Sequence, residues 1–476
     1  MTAPLLDGAR RIHLLGICGT GMGALAGLLQ ARGFTVTGSD ENVYPPMSDK
    51  LAQWGIHPFS PYAATNLDTA RPDLVVVGNV IRAVNAEAVA VRERSLRQAS
   101  FPETIGALMD AEKKHGVVVA GTHGKTTTTS LLAQILVSAG RDPSLLVGGV
   151  PGNFGAGFRE GRGSHFVIEG DEYDTAYFDK GPKFLHYRPR TVVFTGAEFD
   201  HADIYRDLPH YESAFRKLFA LIPADGFAAI CTTYANTYAI AADATCRRET
   251  YSATQPADWQ AADLLLGPQG AAFTATFRGT TWVTAKLPAA GRHNVENALG
   301  AIAAARALGL SPAEVAAGLS SFAGVKRRQE LRGEASGIAV IDDFAHHPTA
   351  VRETIAALKA AYPRRRLWAV FEPRSNTAMR KIHQAEYGHA FADADVAVIV
   401  APSAIAKVPE AERGDAAQLA KDIARSGVEC HLAPTPDAAV ALIAALARQG
   451  DVVAGMSNGG FDGFHEKLLN TLRSRS

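Results

Sequence analysis

Residues 117–126 carry the clearest chemical signal in the chain. They read VVVAGTHGKT, an apolar run followed by a glycine turn and a Lys-Thr pair. Backbone N–H groups of such a turn hold phosphate oxygens, Lys125 can reach the terminal phosphates, and the hydroxyl of Thr126 can bind Mg²⁺. The segment predicts a nucleoside triphosphate site whose members are Gly121, Thr122, His123, Gly124, Lys125, Thr126 and Thr127.

The loop is shorter than the standard phosphate loop, which would have its first glycine where Val119 stands. A glycine- and threonine-rich turn before a helix is the structural alternative for the same residues. The combination of apolar strand, Lys-Thr pair and helical pattern favours phosphate binding.

Two acidic clusters downstream offer metal ligands to this loop. Residues 169–174 read EGDEYD and residues 200–203 read DHAD, each after an apolar run. Mg²⁺ prefers a few protein oxygens, with water and phosphate completing its octahedron. Thr126 and Glu169 are therefore predicted to hold a first Mg²⁺, and His201 to serve a second. A purely structural role for His201 is the alternative, and its flanking aspartates make the two interpretations about equal.

A second glycine turn, GICGTGMG at residues 16–23, follows an apolar run near the start of the chain. Asp40 lies about twenty residues further on, as in dinucleotide-binding units. The glycines fall as GxxGxGxG and not as GxGxxG, so an NAD-linked oxidoreductase is the alternative from another class. A dehydrogenase has no need of a second phosphate loop with a carboxylate cluster. Tight nicotinamide binding without ATPase activity would favour that alternative.

Alternating apolar strands and helical patterns must position these residues. Strands are predicted at residues 12–15, 35–38, 74–78, 117–120, 165–169, 191–195, 338–341, 367–371, 396–400, 428–431 and 451–456. This alternation is typical of α/β layers with mainly parallel sheets. A chain of 476 residues is long enough for about three domains. The predicted fold class is α/β with a Rossmann-like domain at 1–112, a P-loop-type ATPase domain at 113–325 and a second Rossmann-like domain at 326–476.

Composition narrows the class of partner. The 48 basic and 48 acidic side chains balance, so no net charge attracts nucleic acid or a membrane surface. No apolar run reaches the ~18–20 residues that span a bilayer. The four cysteines are widely spaced and predict neither a disulfide framework nor a zinc site. We expect a cytoplasmic protein with no nucleic-acid or membrane partner, present as a monomer or a weak homo-oligomer.

Taken together, the motifs resemble the Mur ligase family of peptidoglycan synthesis, in the same order and over nearly the whole chain. They are AGTHGKTTT at 120–128, the acidic clusters at 169–174 and 200–203, GRHNVEN at 291–297, Arg327-Arg328, and DDFAHHP at 342–348. The resemblance implies a ligase that uses ATP and one or two Mg²⁺ ions to activate a carboxylate as an acyl phosphate, which an amine then captures as an amide.

Four further stretches are similar to the branch of the family that joins the murein tripeptide L-alanyl-γ-D-glutamyl-meso-diaminopimelate to UDP-N-acetylmuramate in cell-wall recycling. They are GSDENVYPPM at 38–47, DEYDTAYFDK at 171–180, FEPRSNT at 371–377 and MSNGG at 456–460. The alternative within the family is the enzyme that adds free L-alanine to the same nucleotide sugar, which usually has Ser where this chain has Tyr173. On local signals alone, MSNGG also reads as a plain strand-to-helix turn.

The resemblance implies roles for single residues. UDP-N-acetylmuramate is expected on the first domain, at Gly16, Gly19, Thr20, Gly21, Met22, Gly23, Ser39 and Asp40. ATP is expected on the phosphate loop, with its nucleoside near His293, Asn294 and Asn297 and its ribose at Asp343. From side-chain chemistry, the peptide is expected in the third domain at Arg374, Ser375 and Asn376, because the guanidinium fork of Arg374 matches a peptide carboxylate; an ordinary surface arginine is the alternative, and the two are about equal. The implied catalytic residues are Lys125, Arg327, Arg328 and His201, and the implied metal ligands are Thr126, Glu169 and His201.

One segment departs from the family pattern. Members that add D-glutamate or diaminopimelate carry a carbamate-modified lysine in a Tyr-Glu-x-Ala-Lys-like segment, and here YESA at 211–214 is followed by Phe215. No carbamate ligand is expected, so a second metal site would depend on His201 and Glu169. One of Arg327 and Arg328 is expected at the γ-phosphate, although a Lys-Arg-Arg run is often only a solvated face.

Overall fold

The computed structural model describes residues 4–44 and 47–475 of the chain. Residues 1–3 and 476, at the outer limits of the first and third predicted domains, lie outside the described residues. So do Pro45 and Pro46 of the 38–47 stretch.

The first domain is built on a parallel four-stranded sheet with the order β2-β1-β3-β4. All four residues of β3 are buried, as expected for a strand covered by helices on both faces. The strands are β1 (Arg11–Leu15), β2 (Thr35–Ser39), β3 (Leu74–Val77) and β4 (Gln98–Ser100). The helices are α1 (Thr20–Ala31), α2 (Met47–Gln53), α3 (Ala64–Ala70), α4 (Ala86–Glu93) and α5 (Phe101–Ala111).

The central domain contains a ten-stranded sheet with the order β16-β15-β14-β13-β12-β11-β5-β8-β6-β7, and a separate hairpin of β9 and β10. Its strands are β5 (His115–Ala120), β6 (Ser144–Leu146), β7 (Phe158–Arg159), β8 (His165–Gly170), β9 (Asp174–Ala176), β10 (Asp179–Pro182), β11 (Pro189–Phe194), β12 (Phe227–Cys231), β13 (Arg247–Ser252), β14 (Trp259–Gly267), β15 (Gly270–Phe277) and β16 (Thr280–Leu287). Its helices are α6 (Lys125–Ser138), α7 (Leu208–Ala220), α8 (Thr237–Ile240), α9 (Arg292–Ala307) and α10 (Pro312–Ser320).

The third domain has a six-stranded sheet with the order β17-β18-β22-β19-β20-β21, parallel except for β17. Its strands are β17 (Glu330–Ala335), β18 (Ile338–Asp343), β19 (Leu367–Phe371), β20 (Val396–Val400), β21 (Glu429–Ala433) and β22 (Val452–Met456). Its helices are α11 (Pro348–Ala361), α12 (Gln384–Ala390), α13 (Ala416–Arg425), α14 (Pro436–Leu446) and α15 (Phe464–Arg473). Short 3₁₀ turns lie at Lys183–His186, Ala241–Asp243, Lys381–His383, Ile405–Lys407, Glu410–Glu412 and Phe461–Gly463.

Helix starts differ in how their backbone N–H groups are satisfied. Ser100 and Glu103 form a reciprocal capping box at the start of α5, and the side chain of His347 accepts an N–H at the start of α11. Helix α6 follows Gly124, which has φ +76°, and no described side chain caps it. Its first N–H groups therefore remain available to an anion.

The predicted α/β architecture with three domains is confirmed. Helix α6 begins at Lys125, so the Lys-Thr pair lies in its first turn. The antiparallel strands β14, β15 and β16 were not predicted, because residues 259–287 have no apolar run longer than three residues. Among the described residues, no helix is both long and apolar enough to cross a membrane.

Candidate active site between the domains

The predicted site residues gather at the carboxyl ends of three adjacent parallel strands. Strand β5 pairs with β8 on one side and β11 on the other. The phosphate loop follows β5, Glu169 lies at the end of β8, and the segment with Glu198 and His201 follows β11. Ligands of α/β sheets bind at this edge, so sheet order brings together groups that are far apart in sequence.

Glycine is required at both turns of the phosphate loop. Gly121 has φ +134° and Gly124 has φ +76°, a region that L side chains rarely adopt. A Cβ at Gly121 would lie 2.4 Å from the hydroxyl oxygen of Thr195, and one at Gly124 would lie 2.2 Å from Oδ1 of Asn297. The loop therefore packs directly against β11 and helix α9.

The ammonium group of Lys125 lies in a buried polar cluster with Glu172. Its Nζ is 3.0 Å from the carboxylate of Glu172, which also accepts from His201 Nε2 at 3.0 Å and from the Tyr211 hydroxyl at 3.1 Å. Burial opposes ionisation, but Lys125 and His201 lower the pKa of Glu172 to about 2. The pKa of Lys125 is raised despite burial, because Glu172 and Asp171 lie close to it. The cluster thus pairs two cationic groups, Lys125 and His201, with one carboxylate beside the loop predicted to bind phosphate.

Two of the three predicted metal ligands are in direct contact. The hydroxyl of Thr126 donates to Oε1 of Glu169 at 2.8 Å, and the Gly148 N–H donates to Oε2 at 2.7 Å. Burial raises the pKa of Glu169, and the charge of Asp171 adds to this effect. A hydroxyl beside a buried carboxylate that favours a cationic neighbour is a donor set that fits Mg²⁺.

His201, the third predicted ligand, is held by Glu172 instead. The imidazole also lies 4.0 Å from Asp200, and these carboxylates raise its pKa against the effect of burial. His201 has φ +56°, so its backbone adopts the left-handed conformation. The described contacts therefore link His201 to Lys125 through Glu172.

A cavity of about 120 Å³ lies between the central and third domains. Most of the predicted ATP-binding residues line it. They are His123, Gly124, Thr126 and Thr127 from the loop, His293, Asn294 and Asn297 from α9, and Asp343 from β18. Gly121, Thr122 and Lys125 lie beside the cavity in the same loop and are not part of its lining.

The walls of this cavity contain polar groups arranged by local structure. Nδ1 of His293 is buried and has no hydrogen-bond partner among the described residues, and burial lowers the pKa of His293 to about 4. Asp343 accepts N–H groups from Gln329 at 2.8 Å and from Ala345 at 2.7 Å. Burial raises the pKa of Asp343. A Cβ at Gly291 would lie 3.0 Å from Nδ1 of His293, so this nitrogen faces the start of α9.

The two consecutive arginines have different positions. Arg328 lines the cavity and donates to the Thr126 hydroxyl at 3.3 Å, next to the phosphate loop. Arg327 turns away and donates to the carbonyl oxygens of Ser457 at 2.6 Å and of Gly459. Both guanidinium groups lie over the ring of Phe344. Arg328 therefore lies beside the phosphate loop, and Arg327 holds the MSNGG turn.

A second cavity, of about 350 Å³, lies between the first and central domains. Gly16, Gly19, Thr20, Gly21 and Met22 of the N-terminal glycine turn line one side of it. Glu169, Asp171, Lys183 and Tyr187 line the other side. The Glu169 carboxylate thus borders this cavity while its partner Thr126 borders the other one.

The remaining predicted sugar-binding residues lie outside the lining of the second cavity. Asp40 accepts the N–H of Cys18 at 2.9 Å and so shapes the glycine turn. The hydroxyl of Ser39 is buried and hydrogen-bonds to His13 Nε2 at 3.1 Å. A Cβ at Gly23 would lie 2.2 Å from the sulfur of Met47. These residues therefore support the glycine turn without lining the cavity.

The predicted peptide-binding residues lie on the loop after β19. The Arg374 side chain is 48% exposed and packs so closely on Gly459 that a Cβ there would lie 2.3 Å from its Nε. The Asn376 amide donates to Asp203 of the central domain at 3.0 Å. Ser375 accepts the Ala378 N–H at 3.0 Å and shapes the loop.

Sequence reasoning missed Glu172, Glu198, Lys183 and His347. Glu172 lies in the predicted acidic cluster, but no periodicity distinguishes it from Glu169 as the partner of Lys125. Lys183 pairs with Asp171 at 3.1 Å and lines the second cavity. The DDFAHHP motif includes His347 and could have signalled it.

Three family models match the chain in succession. The model described as "Mur ligase family, catalytic domain" matches residues 11–113, the Mur ligase middle domain matches 119–305, and the "Mur ligase, glutamate ligase domain" matches 327–459. They cover most of the sequence, in the order of the three sheets.

The chain is also similar to individual proteins over nearly its full length. The chain is 40% identical to the UDP-N-acetylmuramate–L-alanyl-gamma-D-glutamyl-meso-2,6-diaminoheptandioate ligase of Escherichia coli K12, over 98% of this chain and 99% of that protein. It is 36% identical to the UDP-N-acetylmuramate–L-alanine ligase of Kineococcus radiotolerans, over 100% and 99%. The crystal structure of a murein peptide ligase from Psychrobacter arcticus is similar with a TM-score of 0.70 and 38% identity, over 97% of this chain and 98% of that one. The chain belongs to the Mur ligase family.

Proposed function

We propose that the protein joins the lactyl carboxylate of UDP-N-acetylmuramate to the L-alanine amine of L-alanyl-γ-D-glutamyl-meso-diaminopimelate, with cleavage of ATP to ADP and phosphate. The contact between Thr126 and Glu169 carries this proposal. Thr126 borders the cavity that contains the phosphate loop, and Glu169 borders the cavity that contains the N-terminal glycine turn. A carboxylate in one cavity and a phosphoryl group in the other can therefore meet.

The chemistry follows from the groups around this contact. The sugar carboxylate attacks the γ-phosphorus and ADP leaves, which forms an acyl phosphate. Lys125 and Arg328 offset the negative charge that spreads over the transferring phosphoryl oxygens. The peptide amine then attacks the carbonyl carbon, and the tetrahedral intermediate collapses to amide and phosphate.

Thr126 and Glu169 are proposed to hold Mg²⁺, and His201 a second ion when it is released from Glu172. A bound Mg²⁺ would neutralise charge on the ATP phosphates. Glu172 pairs with both Lys125 and His201. We propose that Glu172 keeps these two groups charged and oriented until phosphate arrives.

The nucleotide sugar and ATP are each proposed to bind in one of the two cavities. The glycine turn at residues 16–23, supported by Asp40, is proposed to hold the pyrophosphate of the nucleotide sugar, and Lys183 to face the same ligand. His293, Asn294, Asn297 and Asp343 are proposed to hold the nucleoside of ATP. The proposed domain limits remain 1–112, 113–325 and 326–476. Because both nucleotides are cytoplasmic metabolites, we expect the reaction in the cytoplasm.

Domain movement is part of the proposal. Ligand pockets usually measure roughly 300–1,000 Å³. The cavity at the phosphate loop measures about 120 Å³. The central and third domains must separate to admit ATP and close again before chemistry, which also excludes water from the acyl phosphate.

The acceptor is the finer part of the proposal. Arg374 is exposed on the loop after β19, and a guanidinium pairs with a carboxylate in a bidentate manner. The murein tripeptide carries several carboxylates. Free L-alanine is the second candidate acceptor, because the Kineococcus relative is named for it and aligns over the full chain.

The test compares acceptors directly. The protein is incubated with ATP, Mg²⁺ and UDP-N-acetylmuramate, and phosphate release and amide product are measured with the tripeptide or with free L-alanine. Turnover with the tripeptide and little with alanine is expected. Turnover with alanine alone would assign the protein to the alanine-adding branch. No phosphate release with either acceptor would refute the ligase proposal.

A further inference from the structure

Two histidines and a glutamate meet across the junction of the central and third domains, outside the residues assigned to Mg²⁺. His123 belongs to the phosphate loop, Glu198 follows β11, and His347 precedes α11. One ligand atom from each residue lies within 4.8 Å of the ligand atoms of both others. We refer to these three residues as the junction cluster.

Distances within the junction cluster are close to those of a metal site. His123 Nε2 lies 2.7 Å from Glu198 Oε2, and His347 Nδ1 lies 3.8 Å from the same oxygen. In a tetrahedron with metal–ligand bonds of about 2.0–2.1 Å, ligand atoms are about 3.3 Å apart. These two distances differ from that value by about half an ångström, one shorter and one longer, so small side-chain movements would bring both pairs to this geometry.

The hydrogen bonds of His347 leave the imidazole poorly satisfied. Nε2 is buried and has no partner within the part of the chain that the structure describes. Nδ1 accepts only a long bond, 3.3 Å, from the Thr349 N–H. The ring packs against that of His123 with a centroid distance of 4.7 Å. The lone pair of Nδ1, the nitrogen nearer Glu198, is therefore held only by this long bond and can be given to a metal ion.

We propose that the junction cluster binds one divalent transition-metal ion of the zinc type. Two imidazole nitrogens and one carboxylate suit Zn²⁺ or Co²⁺ better than Mg²⁺, whose coordination sphere consists mostly of oxygen. The Glu198 side chain is 31% exposed, so the ion can enter from that side and keep water as its fourth ligand.

Binding at this place has a regulatory consequence. The ion joins the phosphate loop to the start of α11 in the third domain, and Thr349 of that helix already donates to Glu198 at 3.1 Å. It would hold the two domains together and oppose the separation that admits ATP. The inference goes beyond the proposed ligase reaction, and its metal-binding part is independent of that reaction.

The experiment uses the full chain, freed of metal with a chelator, and Co²⁺ or Zn²⁺ alone as the probe. One ion per chain is expected, with the visible absorption of tetrahedral Co²⁺ and a higher unfolding temperature in Zn²⁺. His347→Asn removes the imidazole but retains a side chain that caps helices well. This variant and Glu198→Gln should weaken binding by at least about tenfold.

His383→Gln is the matched control, because the His383 ring also packs on His347, at 4.8 Å, but lies outside the cluster. It should bind the ion like the unmodified protein. Circular dichroism establishes whether each variant folds. If His347→Asn does not fold, the Glu198→Gln variant decides the outcome. Absence of stoichiometric binding, or equal binding by a folded His347→Asn or Glu198→Gln variant, would overturn the proposal. Displacement by excess Mg²⁺ would also overturn it, by assigning the ion to the magnesium ligands.

The activity of the ligase provides a separate readout. Zn²⁺ should inhibit ATP turnover of the unmodified protein and of His383→Gln more strongly than that of Glu198→Gln. Equal inhibition of all three would refute the regulatory consequence. Because binding is measured without ATP, sugar or peptide, a negative result there does not test the ligase function.

Discussion

Two buried histidine–carboxylate pairs, one in the first domain and one in the central domain, differ in where their other hydrogen bonds go. His13 and Glu87 are 3.1 Å apart and fully buried. His201 and Glu172 are 3.0 Å apart, with the histidine 11% exposed and the glutamate fully buried. The pairs are chemically alike, so their different roles must come from their neighbours.

The pair in the first domain is satisfied within that domain. His13 Nδ1 hydrogen-bonds to the Thr37 hydroxyl at 2.8 Å. Glu87 accepts from the Asn66 amide at 2.7 Å and from the Ala63 N–H at 3.1 Å. A buried network with every member satisfied makes the fold rigid and has no spare capacity for a ligand.

The pair in the central domain connects elements that carry chemistry. Glu172 holds Lys125 of the phosphate loop and Tyr211 of α7 in addition to His201. Two of its partners, Lys125 and His201, are proposed to bind phosphate and metal, so they must exchange Glu172 for ligands during turnover. A buried ion pair adds little net stability by itself, because desolvation offsets the attraction. Two pairs of the same chemistry thus differ in role because their other hydrogen bonds lead to different residues: to structural side chains in the first domain, and to groups proposed to bind ligands in the central domain.

Removing Lys125, the lysine that Glu172 of the central-domain pair holds, should have the largest effect. Lys125→Ala removes a cation from the transferring phosphoryl group, and turnover should fall by about 10²–10³-fold or more. Phosphate release is measured, with Lys180→Ala as the matched control. Lys180 is 68% exposed and pairs only with Asp174 among its described ion-pair partners. Retained turnover in a folded Lys125→Ala protein would remove this residue from the mechanism.

The two glutamates test the comparison itself. Glu172→Gln keeps the shape but removes the charge that holds Lys125 and His201, so kcat should fall about 10- to 100-fold. Glu87→Gln should leave kcat unchanged and lower the free energy of unfolding by about 1–3 kcal/mol. Steady-state kinetics and urea unfolding of both variants are measured side by side. Loss of kcat in Glu87→Gln, or unchanged kcat in Glu172→Gln, would contradict the distinction.

The smallest expected effect is on the acid stability of the central cluster. The pKa of Glu172 is about 2 in the folded protein and 4.5 ordinarily, so the unfolded chain binds a proton first as the pH falls. The stabilisation by this carboxylate is therefore complete above pH 4.5 and is lost between pH 4.5 and about 2. Unfolding measured across this interval should show a shallower pH dependence in Glu172→Gln. Parallel curves for the two proteins would refute the assignment.

Much of the fold was accessible from local patterns. Continuous apolar runs predicted β3, β5 and β20, since strands buried on both faces need apolar side chains throughout. The antiparallel strands β14–β16 were missed because β14 and β16 are half exposed and no apolar run in the three strands is longer than three residues.

The candidate site was predictable in its parts and not in its contacts. The phosphate loop and Glu169 follow apolar strands, and that position alone marks them as ligand-binding. The choice between Arg327 and Arg328 was not accessible, because Arg327 adopts φ +60° and its side chain leaves the cavity. The contact of Glu198 with Thr349 joins segments 151 residues apart, which no local pattern can predict.

The sequence by itself determined the local chemistry of this protein: a glycine loop that exposes N–H groups, a Lys-Thr pair, and carboxylates after buried strands. Each depends on backbone conformation and on neighbours within a few residues. Only the tertiary structure decided that Glu172 and not Glu169 holds Lys125, and that Glu169 stands between two cavities. The physical reason is that sheet order and domain packing, which depend on the whole chain, determine which side chains meet.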